Sequence, residues 1–303
     1  MLLAKNYYPK RWQSQVDTSL EKGKGPVLGK LRFIILIEGD LQINMRIHLS
    51  ADREELIEND NWFSKANYRS RKNYSIETAI LQKRLIFYNS LIEMKPLIYT
   101  FTDLKSYYNR QLANVGSIVE ESVGRNRAAM KLYTKLMPRF KRYVSTGYGM
   151  SYNYYGGEYQ QLTGIGQGNK FSGDMCRDVS CIIIKVIENK RLGVFFINKL
   201  TGEVIQCVSV AFVDDTDFMT DGYNALEKMI QIIEIYDRLH GTIGGLIELL
   251  KITFYAWVWK WKQGQKSAKK IEVKLAVRNN QLKQNKISES ILTLRVQINP
   301  ILV

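Results

Sequence analysis

Residues 204–219 read VIQCVSVAFVDDTDFM, and the fold turns on how that run is understood. Two apolar, β-prone arms flank an acidic centre, the pattern of a hairpin with carboxylates at its bend. Adjacent Asp214 and Asp215 are electrostatically costly, because like charges a few ångströms apart raise each other's pKa unless a cation compensates. Magnesium favours oxygen ligands and is held by one or two carboxylates together with substrate phosphates, so the pair suits that ion. The bland alternative is a surface turn, where Asp and Thr are common. A mere turn does not need the apolar arm VSVAFV to deliver its acids, and that flank favours the hairpin.

A third acid stands upstream, where PLIYTFTD reads as a strand ending on Asp103. Alone, a charge at a strand end is ordinarily just solvated. Placed beside the later bend, it would complete three carboxylates able to hold two magnesium ions about 3.5–4 Å apart, an arrangement suited to phosphoryl transfer. That adjacency is the geometric expectation on which the functional reading depends.

Around these segments the chain alternates strand and helix patterns. LRFIILI at 31–37 predicts a buried strand after the glycine-bearing turn KGKGPVLGK, and SIETAILQKRLIFYNSL at 75–91 predicts a helix starting near Ser75 and Thr78. RNRAAMKLYTKLMPRFKR at 125–142 carries seven basic residues and no acid, a helix broken near Pro138 that suits either a polyanion or plain solvent. YVSTGYGMSYNYYGGEYQQL at 143–162 suits a hairpin. The run from Phe171 predicts a helix, although the triple Ile182, Ile183, Ile184 also tolerates a strand. NALEKMIQIIEIYDRLH predicts a helix capped at Gly241. From Lys260 to Lys286, nine basic residues against the single acid Glu272, without strong periodicity, read as a flexible arm.

Composition narrows the partners. The 44 Lys and Arg against 29 Asp and Glu leave a formal charge of +15, a field that attracts polyanions, nucleic acid first among them. Cys176, Cys181 and Cys207 lack zinc-site spacing and read as buried thiols. His48 and His240 are far apart and have no nucleophile motif, which argues against a hydrolase triad. MLLAKNYYPKRWQ is not a signal peptide, so an intracellular protein is expected, without a choice between nucleus and cytoplasm. GTIGGLIELLKITFYAWVWKWK is interrupted by Glu248, Lys251 and Lys260 and reads as core rather than a membrane span.

In order along the chain, TDLKSYYNR, GIGQGNKFSG, AFVDDTD and GGLIELLK resemble the four palm motifs of retroelement reverse transcriptases, nearest the protist and non-LTR retrotransposon kind. The resemblance covers most of the chain. It implies an α+β polymerase right hand, with an antiparallel palm sheet backed by helices. Fingers would occupy 1–95 and palm 96–258, with a fingers-like helical insertion at about 111–145. A basic connection at 259–303 would lead toward a thumb that the chain does not contain.

Carried over residue by residue, the resemblance makes Asp103, Asp214 and Asp215 the catalytic metal ligands, with the Leu104 carbonyl as auxiliary ligand. Tyr108 becomes the aromatic gate against a ribose 2′-hydroxyl. Gly166, Gln167 and Gly168 contact template and nucleotide, with glycines allowing close backbone approach. Lys251 protonates leaving pyrophosphate, or is simply solvated. KLRFIIL and NYRSRKNYS resemble fingers motifs, placing Arg32 and Arg71 over the triphosphate.

The implied activity is RNA-directed DNA synthesis with two Mg2+ ions, Mn2+ as a substitute, on an RNA template and DNA primer with deoxynucleoside triphosphates. Protein partners are not implied. Departures from the family pattern at Asn109, Gly173, Arg69 and Asn73 raise an alternative, an inactive remnant of the same fold that binds nucleic acid. An RNA-dependent RNA polymerase is the other rival, disfavoured by the aromatic at 108.

Overall fold

The computed structural model describes residues 7–21, 31–50, 63–68, 74–124, 127–157, 164–168, 170–212, 215–293 and 296–299. Asp214 and Arg71 of the expected site, and the divergent Arg69 and Asn73, lie outside the described residues. In chain order the strands are β1 (Ser14–Leu20), β2 (Arg32–Ile37), β3 (Leu97–Thr102), β4 (Lys141–Thr146), β5 (Gly149–Met150) and β6 (Tyr155–Gly156). They continue with β7 (Val194–Ile197), β8 (Val204–Cys207), β9 (Ser209–Phe212), β10 (Asp215–Asp221), β11 (Thr253–Lys262) and β12 (Gln265–Lys270). The chain divides into two compact units, residues 1–62 with 106–179, and residues 63–105 with 180–303.

In the second unit five strands of a six-stranded sheet follow the order β12-β11-β3-β10-β9, every neighbour on that path antiparallel, and the short strand Lys283–Gln284 adds to β11 in parallel. β3 lies in the middle and all six of its residues are buried, which explains its unbroken apolar and threonine sequence. Alternation along the strands sends Tyr99 to one face, where it meets Phe87 edge-on at 5.1 Å, and Phe87 also meets Trp257 at 5.2 Å. On the other face Phe218 packs edge-on against Tyr236 of the Ala225–Thr242 helix at 4.9 Å.

Two helices thus cover the two faces. The Ile76–Glu93 helix begins with a reciprocal capping box between Ser75 and Thr78, at the start expected from sequence. β7 and β8 form a separate hairpin, so Val204–Met219 divides between two sheets rather than making one.

The first unit is built on the sheet β2-β1-β4-β5, with β6 also on β4. β1 runs antiparallel to β2 and parallel to β4. The basic segment forms a helix over Arg127–Leu136, a 3-10 turn over Met137–Arg139 containing Pro138, and then β4, so the proline breaks the helix where expected. The Lys170–Asn189 segment is helical, and its isoleucines Ile183 and Ile184 are buried.

Three sequence expectations need correction or closure. Lys260–Lys286 is not a loose arm: β11 extends to Lys262 and pairs with β12, where lysines at 260, 262, 269 and 270 flank a backbone ladder that needs no apolar period. Gly241 does not cap its helix, which continues through Thr242, and the left-handed residue that follows is Gly244 at φ 83°. All three cysteines are buried thiols that form no disulfide, as expected. Among the described residues, no helix is long and apolar enough to cross a membrane.

Candidate active site

The β3–β10 register aligns two of the three acids. Thr102 pairs with Thr216, so Asp103, one residue past the end of β3, stands opposite Asp215, the first residue of β10. Both are oxygen donors of the kind a divalent cation takes. Asp215 is exposed and Asp103 half-buried, whereas the next residues on that face, Asp217 and Phe101, are buried. Burial therefore falls off along that face toward the two acids.

The main chain around Asp103 is held from the other side. Glu248 N–H donates to the Asp103 carbonyl at 2.9 Å and Lys105 N–H donates to the Leu246 carbonyl at 2.8 Å, with Leu104 and Ile247 bridged antiparallel. In this pattern the bridging residue's own N–H and C=O point away from its partner. The Leu104 carbonyl is thereby turned away from Ile247. Just beyond, the 3-10 turn Leu249–Lys251 delivers Lys251, whose Nζ pairs with Asp103 Oδ2.

Asp103, Leu104, Asp215 and Lys251 are thus brought together within one unit. Among the described residues no group of three metal-ligating side chains converges; the acid that would complete the trio, Asp214, lies outside them. Asp103, Asp215 and the Leu104 carbonyl are all oxygen donors, the ligand type magnesium prefers.

The remaining expected residues gather in the other unit. Ile165 and Gly166 N–H groups both reach the Tyr108 carbonyl, at 2.9 and 3.3 Å, and the Gln167 carbonyl accepts from Ile35 N–H at 2.6 Å. Loop 164–168 is therefore clamped between Tyr108–Asn109 and β2. A side chain on Gly164 would strike the Asn109 backbone at 2.5 Å, and one on Gly168, at φ 115°, the Ile35 carbonyl at 2.5 Å. Gly164 and Gly168 thus serve close approach within the protein. Tyr108 is half-buried and edge-on to Tyr107 at 6.0 Å, and Arg32 is exposed at the start of β2.

A further group was not foreseen. Lys83 and Asp217, 1% and 3% exposed, form an ion pair at 2.5 Å, and Tyr99 donates to the same Asp217 oxygen at 2.7 Å. Lys83 also donates to Thr293 at 3.0 Å. Burial, reinforced by Asp217, pushes the Tyr99 phenol well above its ordinary range, so it remains a donor. The only sequence hint was a lysine at helical spacing with Ala79 and Phe87 on the buried face of its helix.

No family profile and no curated protein matches the chain. Solved structures do. The telomerase of Candida tropicalis with a TWJ fragment of telomeric RNA aligns at a TM-score of 0.54 and 13% identity, over 82% of this chain and 42% of that one. The apo enzyme truncated from its C-terminal domain gives 0.55 and 15%, over 88% and 56%. The Candida albicans telomerase with its TWJ fragment gives 0.52 and 12%, over 92% and 46%. The chain spans about half the length of these proteins. At such identities the likeness is one of fold: an α+β, reverse-transcriptase-like arrangement of helix-backed sheets.

Proposed function

We propose that the chain is the fingers and palm of an RNA-directed DNA polymerase of retroelement origin, extending a DNA primer on an RNA template. The observation that carries this reading is the register of β3 and β10, which sets Asp103 opposite Asp215 at the open end of a helix-backed sheet. The retroelement origin rests on the four ordered motifs in the sequence.

In this reading Asp103, Asp214 and Asp215 hold two magnesium ions, with the Leu104 carbonyl beside them. Bound there, the ions supply activation of the primer 3′-hydroxyl and charge neutralisation of the departing pyrophosphate. The chain's own groups position the reactants. Tyr108 lies under the incoming sugar and excludes a 2′-hydroxyl, held by the two backbone bonds from Ile165 and Gly166. Gln167 and Gly168 border template and nucleotide, Arg32 and Arg71 grip the triphosphate, and Lys251 offers its proton to the leaving group.

Primer extension tests the assignment. The parent should incorporate deoxynucleotides with Mg2+ or Mn2+, and Asp103→Asn should abolish synthesis while leaving the fold intact. Failure of the parent to incorporate with either ion would defeat the activity. Tyr108→Ala should raise ribonucleotide incorporation, and unchanged sugar selectivity would remove the gate from Tyr108.

One observation favours a second reading, a non-catalytic nucleic-acid binder. The Lys251 ammonium already neutralises Asp103, the job a divalent cation would do. Such a protein would bind duplexes in a salt-dependent way, indifferent to Asp214→Asn and without synthesis in the parent.

A further inference from the structure

Behind the glycine loop, the first unit holds a partly open cavity of about 200 Å³. Its walls are mainly apolar, from Leu112, Tyr133, Met137, Pro138, Phe140 and Ile165. Two features break that apolar lining, and both attract negative charge.

The first is the start of the ten-residue Ala113–Ser122 helix, whose first three residues line the cavity. Its N-cap, Leu112, supplies no side-chain acceptor, no acid occupies the first turn, and the first intrahelical bond comes only at Gly116. Among the described residues, the N–H groups of Ala113, Asn114 and Val115 have no acceptor. Such a turn is a ready anion site.

The second is Arg142, which lines the same space and is only 9% exposed. Its Nε donates to Gln15 Oε1 at 3.2 Å, and among the described residues its terminal amino groups have no hydrogen-bond acceptor. Asp17 is the nearby carboxylate, but its Oδ2 is taken by the Tyr155 hydroxyl and its Oδ1 is buried without a hydrogen-bond partner. Burial pulls the Arg142 pKa down, with Asp17 opposing, and the guanidinium remains a cation at neutral pH.

We infer that this cavity is a binding site for a small aromatic anion, a single ring carrying a phosphate or carboxylate. The head would lie between the Arg142 guanidinium and the three free N–H groups, and the ring against the apolar walls. A dry cavity of about 150 Å³ is known to hold one benzene, so one ring with an anionic head is the appropriate size. Ile165 both lines the cavity and donates its N–H to Tyr108, so a ligand here would touch the loop that supports the proposed gate. Binding itself does not depend on polymerase activity.

The test is ligand titration of the full chain, followed by NMR or calorimetry, with phenyl phosphate, benzoate, inorganic phosphate and benzyl alcohol. Phenyl phosphate or benzoate should bind saturably and at least about tenfold more tightly than phosphate or benzyl alcohol, the better of the two identifying the head group. Arg142→Gln should weaken binding by about tenfold. Ala113→Pro removes one free N–H at a helix position that accepts proline, after a Leu112 already extended at ψ 117°, so it preserves the fold. It should weaken binding several-fold even if the arginine variant misfolds. No saturable binding up to about 10 mM, equal affinity for benzyl alcohol or inorganic phosphate, or unchanged binding in Ala113→Pro would overturn the site.

Discussion

Asp215 and Asp217 stand two residues apart on the same face of the same strand, yet they live in different electrostatic worlds. Asp217 is enclosed, bound to Lys83 and Tyr99 beneath the Ile76–Glu93 helix. Asp215 is exposed, opposite a second acid. One step of the two-residue period, about 6.8 Å along the strand, takes the sheet from a carboxylate that serves the fold to one left exposed. Identity of residue type therefore says little about role; how deeply each carboxylate is buried separates the two.

The contrast is broken most severely from the enclosed end. Lys83→Met leaves Asp217 as an unpaired buried charge and should cost about 3–5 kcal/mol in urea unfolding, while adding Asp217→Leu should recover most of it. A single-variant loss below about 1 kcal/mol would show that the pair is not buried as described.

Acid should strain the opposite face of the same sheet next. His240, packed against Tyr236 with ring centroids 4.4 Å apart, is held by burial at a pKa of about 3, against an ordinary 6.5. The folded state thus resists protonation, so this stabilisation is complete above about pH 6.5 and is lost as pH falls toward 3. Between pH 6 and 5 the loss should be about 1 kcal/mol, and His240→Phe should flatten that slope in pH-dependent unfolding.

The smallest effects belong to the open end. Asp215→Asn and Lys251→Ala should each change stability by no more than about 0.5 kcal/mol, because exposed charges contribute little. A large loss in either would make these residues part of the scaffold and erase the distinction from Asp217.

Much of this arrangement was legible in the sequence, and the remainder was hidden for definite reasons. The strand PLIYTFT, the capped helix at Ser75 and the Pro138 break each depend on local chemistry, which a linear reading captures. The nearness of Asp103 to the later acids was a condition set by the functional reading rather than by local chemistry, and the β3–β10 ladder, whose last rung is Thr102 with Thr216, runs toward both. The buried role of Asp217 was not visible, since its partner Lys83 lies on a helix distant in sequence and looks like any surface lysine. The glycines of GIGQG were noticed, but the neighbours that require them, Ile35 and Asn109, come from other segments. The basic stretch after Lys260 misled because an edge hairpin needs a backbone ladder more than apolar side chains.

The peptide groups that grip Asp103 from the 246–248 segment carry one last implication. Those bonds are made by main-chain atoms that every residue but proline offers, so the side chains at 105 and 248 can change over generations while the carboxylate stays on station. Inheritance of this corner is a matter of strand geometry, and a search for its kin should weigh the spacing of three chain segments above the letters they spell.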